Sequence, residues 1–228
     1  VADVRSNPEN TVIGDRAYSG DPGRAADAAA WVDGGMREAG IISVWKHFPG
    51  HGNTATDSHQ ALPVVELSRE DWARGDAVPF RRAVECGAPA VMAGHIRMTA
   101  FDPEYPASLS HVLVSEVLRE ELGFTGVVCT DDLTMGAISD TYGMGEAAVL
   151  AVEAGGDLLL VCHGADNLTQ ARQALLGAVD GGRISPARLE ESVYRILALK
   201  AEYGLTNQTV EAPDVAALNQ AVQALLGE

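Results

Sequence analysis

Residues 46–59, KHFPGHGNTATDSH, hold a lysine, three histidines and an aspartate directly behind the apolar run 41–45. Histidine changes charge near neutral pH and is the usual proton-transfer side chain, so this density marks a reactive site at the end of a strand. Three chemistries compete for it. A zinc site would draw on His47, His51 and His59, but the HExxH pattern places its histidines on one helix face, and Pro49-Gly50 forbids that helix. A Ser-His-Asp hydrolase would need Ser58 on a nucleophile elbow; Ser58 is instead flanked directly by Asp57 and His59, and no GxSxG occurs. The third reading pairs Asp57 with His59, because two residues one apart in an extended loop can face the same way and let the carboxylate polarise the imidazole. Against it stands a loop whose polar groups merely cap its own backbone. His51, between two glycines, fits that structural role best.

A second constellation is Thr130-Asp131-Asp132. Adjacent carboxylates on an extended segment point to opposite sides, so one can face a pocket while the other anchors the following turn. A carboxylate facing a proton donor across a pocket is the arrangement of glycoside hydrolysis. The bland alternative is a helix N-cap, a task that suits Asp132. His95 and His163 fit a pocket wall or a satisfied core position, and His111 reads as surface.

Four segments position these groups: 41–47 (IISVWKH), 88–95 (APAVMAGH), 126–132 (GVVCTDD) and 156–163 (GDLLLVCH). Each is a short apolar run ending in His or Asp, the pattern of strands covered on both faces in a parallel sheet. Helical patterns fill the intervals at 21–39, 76–86, 110–122, 146–154, 167–179 and 185–203. The first is expected to bury Trp31 and Met36; the last has Ser185 at N-cap, Pro186 at N1 and Gly204 beyond its end. Trp45 and Trp72 are expected to pack. Reactive residues at successive strand tips, with no GxGxxG or GxxxxGK[ST], favour a (β/α)8 TIM barrel over a doubly wound sheet. Four full strands and a partial one at 1–4 are legible, so roughly the first three are expected to be missing from this chain. Residues 1–204 then form the C-terminal part of the barrel, and 205–228 a helical extension packed on it.

A formal net charge of -16, from 32 acidic and 16 basic residues, excludes a nucleic-acid backbone or anionic membrane as partner. No apolar run reaches the ~20 residues needed to span a bilayer, so no membrane insertion is expected. Cys86, Cys129 and Cys162, each in an apolar stretch, read as buried reduced thiols, which favours a reducing, cytoplasmic setting.

The motif KHFPGHG, then DSH, then LP, over 46–63, resembles the bacterial β-N-acetylglucosaminidases of glycoside hydrolase family 3. So do NPENTVIGDRAY (7–18), PAVMAGHI (89–96), DPEYPASLS (102–110), ELGFTGVVCTDDLTMGAI (121–138) and AGGDLLLVCH (154–163). The resemblance implies a retaining, two-step hydrolysis on a (β/α)8 scaffold with no metal or cofactor. By it, Asp131 is the nucleophile, preceded by Thr130 where the family more often has Ser. His59 is the acid/base, with Asp57 as its partner. Arg16, Lys46 and His47 hold sugar hydroxyls, and Met135 touches the sugar. The family's IDQEGG-like segment, with its sugar-binding aspartate, is not in this chain.

The implied substrate is a small saccharide ending in β-N-acetylglucosamine, such as a peptidoglycan fragment, acted on by a monomer. An N-acetylglucosaminide phosphorylase and an inactive sugar-binding homologue are the alternatives. An opened barrel exposes strand edges and its core. The 228 residues alone are therefore expected to be poorly stable and inactive; measurable hydrolysis of p-nitrophenyl N-acetyl-β-glucosaminide by them would overturn this.

Overall fold

The computed structural model describes residues 1–54, 58 and 61–227. Asp57 and His59 lie outside the described residues. In chain order the elements are α1 (Pro22–Glu38), β1 (Val44–Phe48), β2 (Val64–Val65), α2 (Arg69–Arg74), α3 (Ala77–Glu85), β3 (Ala90–Ala93) and β4 (Arg97–Met98). A π-type helix (Val112–Glu121) follows, then β5 (Val127–Asp132), α4 (Gly136–Ser139), α5 (Met144–Ala154), β6 (Leu158–Leu160), α6 (Ala165–Asp180), α7 (Pro186–Glu202) and α8 (Val215–Leu226).

The four apolar runs become one parallel sheet in the order β1-β3-β5-β6. Ala90 to Ala93 pair in unbroken register with Val127 to Thr130, and the register shifts in the two outer pairs. Each new strand is added beside the last, so the sheet winds one way without reversing, as βαβ units laid down in succession must. Among the described residues it does not close into a barrel. The segment at 1–4 is extended rather than a strand, and is joined to β1 by the Ala2 N–H to the Lys46 carbonyl at 2.7 Å. β2 and β4 form a separate two-stranded parallel pair.

Caps set the helix starts as the sequence implies: Asp21 accepts the Arg24 N–H at 2.8 Å and Ser185 the Arg188 N–H at 3.2 Å, each followed by Pro. The buried face of α1 is Ala25, Ala26, Ala29 and Asp33. Trp31 falls on the opposite side and is 78% exposed, which corrects the expected stripe. Helix α2 escaped the sequence reading although Ser68 and Asp71 form a capping box, Ser68 accepting the Asp71 N–H at 3.1 Å and donating to its carboxylate at 2.6 Å. Cys129 is buried as expected, but Cys86 is half-buried and Cys162 exposed. No residue of α8 is buried. Among the described residues no helix is long and apolar enough to cross a membrane.

The main core lies between β1, β3, β5 and the helices α1, α3 and the π-helix, and at its upper end carries a chain of edge-to-face aromatics. Phe48 meets Phe80 at 5.2 Å and Trp72 at 6.4 Å, and Trp72 meets Phe101 at 4.9 Å. Below the sheet, the fully buried Asp157 gathers Arg119 at 2.6 Å, Arg195 at 3.1 Å and Arg188 at 3.5 Å, and accepts from Ser192 and the Val128 N–H. This cluster pins α7 and the π-helix to the base of β5. Removing one partner of a buried charge set typically costs about 3–5 kcal/mol. Asp157→Ala in the full-length protein should lower unfolding stability on that scale, measured by denaturant titration; a change within about 0.5 kcal/mol would show the cluster to be ornamental.

Candidate active site

β1 delivers Lys46 and His47, and the chain then turns through Phe48, Pro49, Gly50 and His51; the Lys46-His47 and Phe48-Pro49 peptides are cis. The turn is fixed from three sides. Its carbonyls accept from neighbouring backbone, Phe48 from the Gly94 N–H at 2.8 Å and His47 from the Gly50 N–H at 2.7 Å. The Trp72 indole donates to the Pro49 carbonyl at 2.9 Å. The third side is Asp3, whose carboxylate takes the His47 Nδ1 at 2.8 Å, the His47 N–H at 3.1 Å and the His51 N–H at 2.7 Å. Burial works against the Asp3 charge, but the adjacent His47 ring and the two backbone donors hold its pKa below the usual range.

His51 is structural, and its tautomer follows from its partners. Thr54 donates its hydroxyl proton to the His51 carbonyl at 3.0 Å, so its Oγ1 accepts from His51 Nδ1 at 2.6 Å and from Asn10 Nδ2 at 3.2 Å. Nε2 is then an acceptor, and takes the Ser58 hydroxyl at 3.0 Å. Burial pushes this imidazole towards the neutral form. Ser58 is also held through its carbonyl, which accepts the Ala137 N–H at 3.2 Å and so ties the histidine loop to α4.

β5 brings the second constellation to the same end of the sheet. Asp132 turns away to hold structure: it accepts from the Thr134 N–H at 3.0 Å, the Thr134 hydroxyl at 2.5 Å and the Cys162 N–H at 3.0 Å. Burial would raise its pKa, but the Cys162 and Thr134 donors outweigh this and lower it. Asp131 points the other way and is half-buried, one oxygen held by the Asp132 N–H at 2.9 Å. The Thr130 hydroxyl accepts the Leu160 N–H at 3.1 Å, a task Ser would also perform. His95 is fully buried between the two halves. Its Nε2 must donate to the Asp132 carbonyl at 2.9 Å, so Nδ1 accepts from Ser108 at 2.7 Å, and burial keeps it neutral.

Lys46 is half-buried and Asp131 half-buried, and both charges act on Cys129, whose thiol is pushed up to about 12, first by burial and then by Asp131. Met135 is buried at the start of α4. Arg16 is exposed on a 3-10 turn (Gly14–Arg16), with its guanidinium on the Val12 carbonyl at 2.8 Å. The structure therefore gathers Lys46, His47, Asp131 and Met135 at one end of the sheet, with Arg16 at its edge. His163 is exposed, 3.8 Å from Asp132, and among the described residues no three His, Cys, Asp or Glu side chains converge on a metal position.

The family assignment now has an independent basis. The profile of the Glycosyl hydrolase family 3 N terminal domain matches residues 1–199. The chain belongs to this family. A Beta-hexosaminidase of Nitrosomonas eutropha is 32% identical over 217 residues, covering 94% of this chain and 62% of that protein. A glycoside hydrolase family 3 β-N-acetylglucosaminidase structure from Paenibacillus sp. superposes with a TM-score of 0.91 at 45% identity, over 94% of this chain and 41% of that one. A beta-glucoside phosphorylase structure superposes with a TM-score of 0.87 at 31% identity, over 96% and 40%. The family 3 chain described here thus spans less than two thirds of each relative's length.

Asp3, Asn10 and Asp76 carry no signal in the sequence, because each acts through another group rather than through its own spacing; Ser58, weighed there only as a nucleophile, instead holds His51. Asp76 packs where a Cβ on Gly50 would come within 2.6 Å, and Gly50 also has φ +129°, so only glycine fits there. Burial, and then the Asp3 charge, push the Asp76 carboxyl up to about 7. Against its ordinary value of 3.8, the folded protein binds this proton more tightly than the unfolded chain. Stability is therefore lost as pH rises between about 4 and about 7, by roughly 1.4 kcal/mol per unit. Asp76→Asn should remove that slope in the full-length protein, read as the difference between the stability–pH curves; parallel curves would refute it.

Proposed function

We propose that this chain forms part of a (β/α)8 barrel and carries the hydrolytic centre of a retaining β-N-acetylhexosaminidase that acts on saccharides ending in N-acetylglucosamine, peptidoglycan fragments among them. The observation that carries it is the division of labour at the tip of β5, where Asp132 is consumed by structure while Asp131 keeps one oxygen outside any hydrogen bond among the described residues. Support for the barrel comes from the one-way winding of the sheet and from apolar strand residues left open at both ends, Val44 at 40% and Leu158 at 45% exposure.

In this reading the ionised Asp131 attacks the anomeric carbon as the C–O bond to the leaving group breaks, and His59, oriented by Asp57, gives its proton to the departing oxygen. Water then attacks the same carbon, His59 takes the water proton and Asp131 leaves. An imidazole in that role avoids the like-charge repulsion of two close carboxylates. Lys46, His47 and Arg16 hold hydroxyls, with directed donors that tighten as positive charge develops on the ring.

Phosphorolysis is a second reading, favoured by the superposition on the phosphorylase and by a neutral acid/base that does not repel phosphate. Comparing product release with and without phosphate separates the two. Asp131→Ala in the full-length protein should cut kcat by at least on the order of a thousandfold; intact turnover would remove the nucleophile assignment. His59→Ala should slow substrates with poor leaving groups by about 10²–10⁴ while sparing glycosylation by a dinitrophenyl glycoside, and an equal loss on both would refute the acid role.

A further inference from the structure

His47 is more than a buried ring beside a pocket, because its partner decides what it can offer. Asp3 is 1% exposed and ionised, and an ionised carboxylate has no proton to give. The 2.8 Å contact between Asp3 Oδ2 and His47 Nδ1 therefore requires the proton on Nδ1. The second Asp3 oxygen is occupied by the His47 and His51 N–H groups, so the carboxylate cannot rotate without losing both. Nε2, the opposite ring atom, makes no hydrogen bond among the described residues. The ring stands edge-on to His51 at 5.7 Å.

We propose that His47 is neutral in the folded protein and that Asp3 is a positioning residue that holds its one ring proton on Nδ1, so that Nε2 is presented as a hydrogen-bond acceptor for one hydroxyl of the bound sugar. The inference rests on the reading of His47 as a sugar-binding residue. It adds a specificity: an acceptor there requires a donor, so a sugar with hydrogen, fluorine or methoxy at that carbon leaves the nitrogen unpaired. Asp3 acts through His47 and does not touch the sugar.

The test uses the full-length protein. In Asp3→Asn, a nearly isosteric change, the side-chain carbonyl can still accept both backbone N–H groups, but the amide faces Nδ1 as a donor and forces the proton to Nε2. With p-nitrophenyl N-acetyl-β-glucosaminide, kcat/KM should fall about 10–100-fold, the usual cost of losing an orienting partner. The 15N shifts of His47 should report the exchanged tautomer. Among the 3-, 4- and 6-deoxy forms of that substrate, one should show a wild-type to Asp3→Asn ratio near one. Equal ratios for all three, or unchanged kcat/KM, would overturn the proposal. The 15N spectrum of the wild-type protein tests it without any variant, since a proton on Nε2 overturns it directly. His47→Ala separates the two layers: losses equal across all deoxy substrates would sink the sugar-binding reading of His47, whatever Asp3 does to its tautomer.

Discussion

A carboxylate removed from water has to be surrounded by donors, and the chain after β1 is folded around that need. Asp3 holds its charge only because a ring N–H and two backbone N–H groups converge on it. To bring them there, the N-terminal segment must lie against β1, which the Ala2 hydrogen bond to Lys46 secures. It must also pass close under the glycine turn: a Cβ on Gly52 would sit 1.8 Å from the Val4 carbonyl oxygen. The glycines of PGHG are thus dictated by what presses on them, Asp76 on one side and Val4 on the other.

From this anchor the two halves of the site are joined by neutral hydrogen bonds of fixed direction. With the Thr54 hydroxyl donating to the His51 carbonyl, the protons run in one direction, from Ser58 to His51 Nε2 and from His51 Nδ1 to Thr54. Ser58 then passes the restraint to α4 through Ala137, and His95 passes it from Ser108 to the Asp132 carbonyl. None of these links carries net charge, so none adds to the field around Asp131. A reacting group held through locked rotamers and satisfied second-layer partners is the condition for precise geometry.

What was legible in the sequence was the part written in short-range pattern. Apolar runs and their polar tips gave the parallel strands, caps gave the starts of α1 and α7, and the paired aspartates gave an anchor for the following turn, a task that the hydrogen bonds of Asp132 perform. Trp31 was misplaced because an Ala-rich helix packs by close approach of small residues, and its large side chain was driven to the outside. Cys162 sits beyond the end of β6, where apolar neighbours no longer imply burial. Asp3 left no local signal at all. Its importance depends on a histidine 44 positions away, and only the fold brings the two together.

The spacing of strands sets the width of the gap between the two halves of the site. Neighbouring strands are about 4.8 Å apart, so the tips of β1 and β5, separated by β3, stand about 10 Å from each other. Lys46 and His47 rise on one side of that gap and Asp131 on the other. Its floor is the end of β3, and there the chain places Gly94, where a Cβ would come within 3.1 Å of the His47 Cβ. A side chain at that point would crowd His47 and Ile96, which would have to give way by a few tenths of an ångström, so glycine there leaves the His47 ring its room against Asp3.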